Sequence, residues 1–241
     1  MLTRRRGIAA ASSAVVDEVE PEYLSCERKQ TTMSVLLWLA RLADMTRDSE
    51  MTRKIVVTEY ISLDGVIEDP VGMENSGLGN WTGPYSRGPE GDRFKLEEIL
   101  AAGCLIFGRA TYEAFAAAWP HMKDETGLAD RMNALPKYVA SSTLKQASWG
   151  ETTIWNGDIV AAARALKAGG AGAGEALIYG SASVVHQLAA ADLIDEYQLM
   201  VYPVILGAGK RLYPDGAAST LRLAECKQLG GGIVLLRYAA G

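Results

Sequence analysis

Histidine, cysteine and excess positive charge are all scarce in this chain, and each shortage removes a class of function. The 241 residues include only two histidines, His121 and His186, neither in an HExxH or other ligand pattern, so no metal site is expected. With so little imidazole and no GxSxG elbow, a nucleophilic triad lacks its parts. Cys26, Cys104 and Cys226 stand apart without CxxC spacing, which supports neither a disulfide framework nor a zinc site. Lys and Arg number 24 against 29 Asp and Glu, a net charge of -5. No basic field is therefore available to neutralise a nucleic-acid backbone or to dock on anionic lipid. The apolar run from Val35 to Leu42 falls well short of the roughly 20 residues that cross a bilayer.

What is present is ordinary globular composition, 49% hydrophobic and 22% charged, away from the signature of disorder. A soluble, cytoplasmic domain with an appendage is expected. Residues 1–50 read as that appendage: Arg4-Arg5-Arg6, an Ala/Ser-rich stretch to Val16, an acidic patch at Asp17 to Glu22, then the run at Val35. The stretch from Gly7 to Val16 is too short and too Ala/Ser-rich for an export signal, and the later run suits a short amphipathic helix. Met51 opens what reads as the domain proper, 51–241.

From Lys54 the pattern becomes regular. Lys54 to Ser62 is β-branched and apolar, a buried strand stopped by turn chemistry at Leu63-Asp64-Gly65. A Gly/Pro/Asn-rich loop of lid-like length follows, to about Gly91. Helices are expected over Asp92–Ala102, with Asp92 as cap and Phe94, Leu96, Ile99 and Leu100 as the apolar face, then over Thr111–Ala118, Leu128–Ala134, Ile159–Lys167 and Ser183–Ala190. Strands are expected at Cys104–Phe107, Lys137–Ala140, Thr152–Trp155, Leu177–Tyr179 and Ile194–Tyr202. A closing hairpin, Leu221–Gln228 with Ile233–Tyr238, turns at Gly230-Gly231-Gly232. This alternation predicts an α/β fold: a mixed, mainly parallel sheet with helices on both faces and an antiparallel C-terminal hairpin.

Two strand-to-helix junctions carry the chemistry. In the first, Phe107-Gly108-Arg109-Ala110-Thr111, the glycine lets another backbone approach while the helix start presents unsatisfied N–H groups to an anion. Arg109 adds a guanidinium fork suited to phosphate. Tyr179-Gly180-Ser181-Ala182 repeats the device. Each junction alone also reads as a tight turn before a helix, but two in order suit the pyrophosphate of a dinucleotide lying across the strand ends. Gly207-Ala208-Gly209-Lys210 lacks the upstream glycine and the hydroxyl residue of a phosphate loop.

Residues 53 to 239 resemble the dihydrofolate reductase-like superfamily, and more narrowly the reductase domain of bifunctional riboflavin-biosynthesis deaminase-reductases and its stand-alone relatives. The resembling segments come in the family's order: Ser62-Leu63-Asp64-Gly65, Gly108-Arg109-Ala110-Thr111-Tyr112-Glu113, Leu135 to Thr143, Tyr179-Gly180-Ser181-Ala182, and Leu193 to Glu196 leading to Pro203 to Lys210. The resemblance implies an NADPH-dependent reductase of a small heterocyclic or phosphoribosyl-type substrate, similar to 5-amino-6-(5-phosphoribosylamino)uracil reductase. It implies cofactor phosphate at Gly108, Arg109 and Thr111, the adenosine ribose near Ser141, Ser142 and Thr143, and the pyrophosphate at Gly180, Ser181 and Ala182. Pro203, Gly207 and Lys210 would border the substrate, with Lys210 meeting an anionic group, and Trp81 would either close over the nicotinamide or anchor a lid. The family also implies a homodimer.

The proton donor has two candidates. Asp92 lies where folate-reducing relatives carry a carboxylate, and also reads as a helix cap. Asp64 follows the first strand at the pocket mouth, and also reads as a turn residue. A deaminase half is missing, because no His-x-Glu with Pro-Cys-x-x-Cys occurs. Two further readings remain: a dihydrofolate reductase-type enzyme, and a non-catalytic dinucleotide-binding module.

Overall fold

The computed structural model describes residues 52–169 and 174–241. The expected N-terminal extension with its short helix, and most of the glycine-rich stretch after Gly169, lie outside the described residues.

Among the described residues eight strands form one sheet in the order β4-β3-β2-β5-β1-β6-β8-β7. They are β1 (Ile55–Ser62), β2 (Ala102–Gly108), β3 (Lys137–Ala140), β4 (Thr152–Trp155), β5 (Glu175–Tyr179), β6 (Glu196–Tyr202), β7 (Leu221–Gln228) and β8 (Val234–Ala240). The first six in this order run parallel to one another. β8 pairs antiparallel with both β6 and β7. The expected hairpin is there, turning through Gly230–Gly232, and its second strand is the one inserted beside β6.

Among the described residues five helices connect the strands: α1 (Gly88–Ala101), α2 (Arg109–Ala118), α3 (Leu128–Ala134), α4 (Ile159–Ala168) and α5 (Ala182–Ala190). Alternate residues of each central strand face opposite layers, as a period of two requires. Ile55, Val57, Cys104, Ile106, Ala176 and Ile178 pack with Ile159 and Ala163 of α4 and Val184, Val185 and Leu188 of α5. Val56, Leu105, Phe107 and Leu177 pack instead with Ile99 of α1, Tyr112 of α2 and Met132 of α3. Burial on both faces explains why these strands are nearly continuous apolar runs. Each fully buried Ile, Leu, Val or Phe contributes about 1.5–3 kcal/mol of transfer free energy to this core.

The expectation for α1 needs correcting. It begins at Gly88 with Arg87 as N-cap and Pro89 in its first turn, so Asp92 is inside the helix and caps nothing. Its buried residues are Gly91, Lys95, Glu98 and Ile99, while Leu100 is 56% exposed. The helix therefore turns a polar stripe, and only part of the expected apolar face, toward the sheet.

The long connection from Leu63 to Arg87 is anchored at two points. Asp69, fully inside, accepts hydrogen bonds from the Glu74 and Ser76 amides and from Ser76 Oγ. Trp81 is buried, donates from Nε1 to the Glu68 carbonyl at 2.9 Å, and stands edge-on to Tyr202. Among the described residues no helix is long and apolar enough to cross a membrane.

Candidate active site

The two predicted junctions meet. β2 and β5 are neighbours, with Ile106 opposite Ile178, so Gly108 and Gly180 emerge side by side at the carboxyl edge of the sheet. The Gly108 amide donates to Ser181 Oγ at 2.7 Å, and that hydroxyl donates in turn to the Tyr179 carbonyl at 3.0 Å. Gly180 has φ +55°, and a Cβ there would stand 2.8 Å from Thr111 Oγ1. Only glycine fits without displacing α2. Ser181 also adopts the left-handed conformation, φ 62° and ψ 44°, a strained state for a residue with a Cβ.

What distinguishes α2 and α5 is their unserved N-termini. Neither has a side-chain cap and neither carries an acidic residue in its first turn. By contrast, α4 is capped by Asp158, which accepts from the Val160 and Ala161 amides. The Asp124 carboxylate accepts from the first amides of α3, Leu128 and Ala129, and α1 carries Glu90 in its first turn. Uncapped amides aligned with the helix dipole attract an anion, and here two such ends open beside one another.

The other expected cofactor residues flank this cradle. Ala140 at the end of β3 pairs with Gly108, which brings Ser141, Ser142 and Thr143 to the same edge. Ser141 Oγ accepts from the Thr143 and Leu144 amides, shaping the turn, while Ser142 and Thr143 are exposed. Arg109 is at the rim, 51% exposed and paired with Glu113 one turn along its helix. Thr111 donates to Glu74 Oε1 at 3.0 Å, so a loop carboxylate sits on one of the groups expected to meet phosphate.

Next to the cradle lies a cavity of about 190 Å³. Its apolar wall includes Ile99, Phe115, Trp119, Leu128 and Met132, and its polar side includes Thr58, Glu59, Tyr60, Lys95, Tyr179 and Gly180. The space exists because β5 ends opposite Thr58, whereas β1 continues beside β6 to Ser62. Beyond Thr58 the β1 edge on that side has left its ladder, and Glu59 is the first residue past the split.

Glu59 is 5% exposed, and its Oε1 has no hydrogen-bond partner. Burial pushes its carboxyl well above the usual carboxylate range, and outweighs the opposing influence of the Lys95 charge and of the nearby Gly180 backbone. Glu98 Oε1 and Trp119 Nε1 are likewise buried without a partner, while the other polar groups here are paired. Lys95 forms an ion pair with Glu98, donates to Thr58 Oγ1 at 3.1 Å, and lies over the Tyr179 ring. The Tyr179 hydroxyl donates to Glu98 Oε2 at 2.9 Å. Arg87 donates to the Tyr60 hydroxyl at 2.6 Å and to Asp92 at 2.7 Å.

Of the residues singled out in the sequence, Thr111 and Gly180 line the cavity, with Gly108 and Ser181 linked at its rim. Six others stand elsewhere. Asp64 accepts from Ser62 Oγ and from the Leu206 and Gly207 amides, which hold its carboxyl down at about 2, so it is an ionised turn anchor at neutral pH. Asp92 is exposed and taken by Arg87. Trp81 is packed into the core beside Tyr202. Lys210 is paired with Glu68 at 3.0 Å. Gly207 binds Asp64 through its amide, and Pro203 accepts a long 3.4 Å bond from Tyr85.

Glu59, Lys95 and Glu98 were not singled out in the sequence, and Tyr179 only as part of the second junction. One signal for Glu59 was available: a carboxylate in the middle of an otherwise apolar run read as a buried strand, where a buried charge needs a reason.

Comparison with known proteins agrees with this architecture. Residues 53–235 match the family model described as the RibD C-terminal domain. Two uncharacterised proteins of Bacillus subtilis (strain 168), YyaP and YwjB, are 24% identical over 190 residues and 28% identical over 186. Each alignment covers 77% of this chain, and 94% and 97% of the respective relative. Among solved structures, a protein named for riboflavin biosynthesis from Shewanella sp. PV-4 superposes with a TM-score of 0.62 at 19% identity, covering 78% of this chain and 99% of that one. The Thermotoga maritima diaminohydroxyphosphoribosylaminopyrimidine deaminase/5-amino-6-(5-phosphoribosylamino)uracil reductase gives 0.53 at 11% identity, covering 80% of this chain and 58% of that one. At these identities the structural likeness establishes the fold, which is dihydrofolate reductase-like.

Proposed function

We propose a function from one premise: the chain belongs to the RibD C-terminal domain family. It is an NADPH-dependent reductase of a small heterocyclic or phosphoribosyl-type substrate, of the kind found in riboflavin biosynthesis. The observation that carries this reading is the pair of uncapped, acid-free helix starts, α2 and α5, joined by the bond from the Gly108 amide to Ser181 Oγ.

The residues fit a dinucleotide. Gly180 leaves its backbone bare where any side chain would strike Thr111, and the amides of both helix starts are suited to the negative pyrophosphate. Gly108, Arg109, Thr111, Gly180, Ser181 and Ala182 would hold phosphates, with Ser141, Ser142 and Thr143 toward the adenosine end. When bound, a dihydronicotinamide supplies hydride to a polarised C=N or C=O carbon.

The chain's own contribution is position and dryness. Phe115, Trp119, Leu128 and Met132 give the cavity an apolar wall, which with a ligand bound would exclude water and strengthen the polar interactions inside it. Thr58, Lys95 and Tyr179 fix the polar edge of a flat ring on the opposite side. No protein nucleophile is needed, because hydride transfer depends on bringing two carbons to near contact.

The test compares thermal stability with NADPH, with NADH and without either, alongside NADPH oxidation with candidate substrates. NADPH at a hundred times its dissociation constant adds about 2.7 kcal/mol to the folded state. Protection without consumption across a broad carbonyl and imine panel would favour a binding module instead. The homodimer and the cytoplasmic location belong to this proposal too, and light scattering coupled to size exclusion checks the first.

A further inference from the structure

We infer that Glu59 is the acid that delivers the proton to the substrate heteroatom as hydride reaches the adjoining carbon, an inference that rests on the reductase reading above. Glu59 lines the cavity, immediately past the point where β5 leaves β1, and its Oε1 is buried without a partner. Glu98 Oε1 and Trp119 Nε1 are also buried without a partner, but of these three groups only Glu59 is both an acid and part of the cavity lining. A buried polar atom left unpaired costs stability, so its presence calls for a partner that arrives from outside the fold. Glu59 also lies near the Gly180 backbone, at the edge of the cradle proposed for the dinucleotide.

The groups facing Glu59 define its state. From α1 come Lys95 and Glu98, from the loop after β1 comes Glu74, and from the end of β5 comes Tyr179. On β6 its register partner is the uncharged Leu199. Lys95 favours the ionised form, while Glu74, Glu98 and above all burial favour the neutral acid. Lys95 is itself engaged with Glu98 and Thr58. Burial and the neighbouring carboxylates thus favour the neutral, protonated form, the form that a general acid requires.

The step balances. Substrate carbon gains hydride from the reduced dinucleotide, forming a C–H bond, and the π pair of its C=N or C=O moves onto the heteroatom. The Glu59 O–H bond breaks, the heteroatom takes that proton, and Glu59 is left as a carboxylate. Substrate is reduced and NADPH oxidised to NADP⁺, and a solvent proton reloads Glu59 once product has left.

The test uses the full chain and Glu59→Gln, which keeps size and polarity but has no acidic proton. The probes are 5-amino-6-(5-phosphoribosylamino)uracil, dihydrofolate and a panel of cyclic imines and carbonyls. For a compound the unsubstituted chain reduces, E59Q is expected to leave NADPH affinity unchanged, to lower kcat by about 10²–10⁴-fold, and to abolish the alkaline limb of the pH profile. Infrared difference spectra of the unsubstituted chain against E59Q are expected to show the carbonyl stretch of a protonated carboxylic acid at neutral pH. Equal kcat and an equal alkaline limb in both chains would overturn the role of Glu59 and leave the reductase reading standing. An ionised Glu59 at neutral pH would do the same. If the unsubstituted chain neither binds nor oxidises NADPH, the reductase reading falls and this inference falls with it.

Discussion

The backbone amide of Gly108 reaches across from β2 to Ser181 Oγ, 2.7 Å away at the start of α5, and so ties together the two helix starts that face a common cleft. Ser181→Ala removes that acceptor. About 1 kcal/mol of stability should be lost, measured by denaturant unfolding, and NADPH should protect the variant less. Unchanged protection would mean that the link is structural and not part of the binding site.

Gly180→Ala is a harsher change at the same place. The residue sits at φ +55° with Thr111 Oγ1 in the path of its Cβ, so left-handed strain and overpacking combine to cost about 2–4 kcal/mol. Calorimetry at moderate temperature should find a folded protein with no measurable dinucleotide binding. Gly127→Ala is the control, because it shares the positive φ but has nothing within 4 Å of the added atom.

Arg109→Ala separates stability from binding. Its exposed pair with Glu113 contributes ~0.5 kcal/mol or less to folding. A guanidinium engaged with phosphate is worth about 1.5 kcal/mol, roughly tenfold in affinity. Titration calorimetry should therefore show weaker NADPH binding at nearly unchanged melting temperature. An unchanged dissociation constant removes Arg109 from the phosphate site.

Asp64 governs acid sensitivity. Its carboxyl is held at about 2, below the ordinary 3.8, by Ser62 Oγ and the Leu206 and Gly207 amides. The folded chain then binds fewer protons than the unfolded one, so this stabilisation is present above about pH 4 and is lost as pH falls toward 2. Asp64→Asn should lower stability at neutral pH and flatten the loss over that acid window, as followed by circular dichroism. The alkaline limb of the turnover profile should not move, since an anchored carboxylate is not the acid.

Local chemistry made the scaffold and the cradle readable. β3, β4 and β7 match their expected bounds, and β5 differs only by starting earlier, at Glu175, because short apolar or β-rich runs bounded by turn residues announce themselves. Gly108 and Gly180 were legible for the same reason: each glycine between a strand and a helix is a statement about its own backbone.

The cavity was not readable in that way. Lys95 and Glu98 look like the solvated side of α1 until the helix is docked over β1 and β5, where they pair with each other and meet Thr58 and Tyr179. Glu59 depends on still longer-range facts, the early end of β5 and the loop that brings Glu74 near. Asp64 and Asp92 drew notice as loop and helix-start carboxylates, yet partners distant in sequence or one helical turn away had already claimed them.

The most direct measurement is a crystal structure of the full chain grown with NADP⁺. The account predicts pyrophosphate density between the first turns of α2 and α5, in contact with the Gly108–Thr111 and Gly180–Ala182 segments, with the nicotinamide reaching toward Glu59. A dinucleotide bound on another surface, or that cleft left empty while Gly180→Ala binds as tightly as the unsubstituted chain, would contradict it.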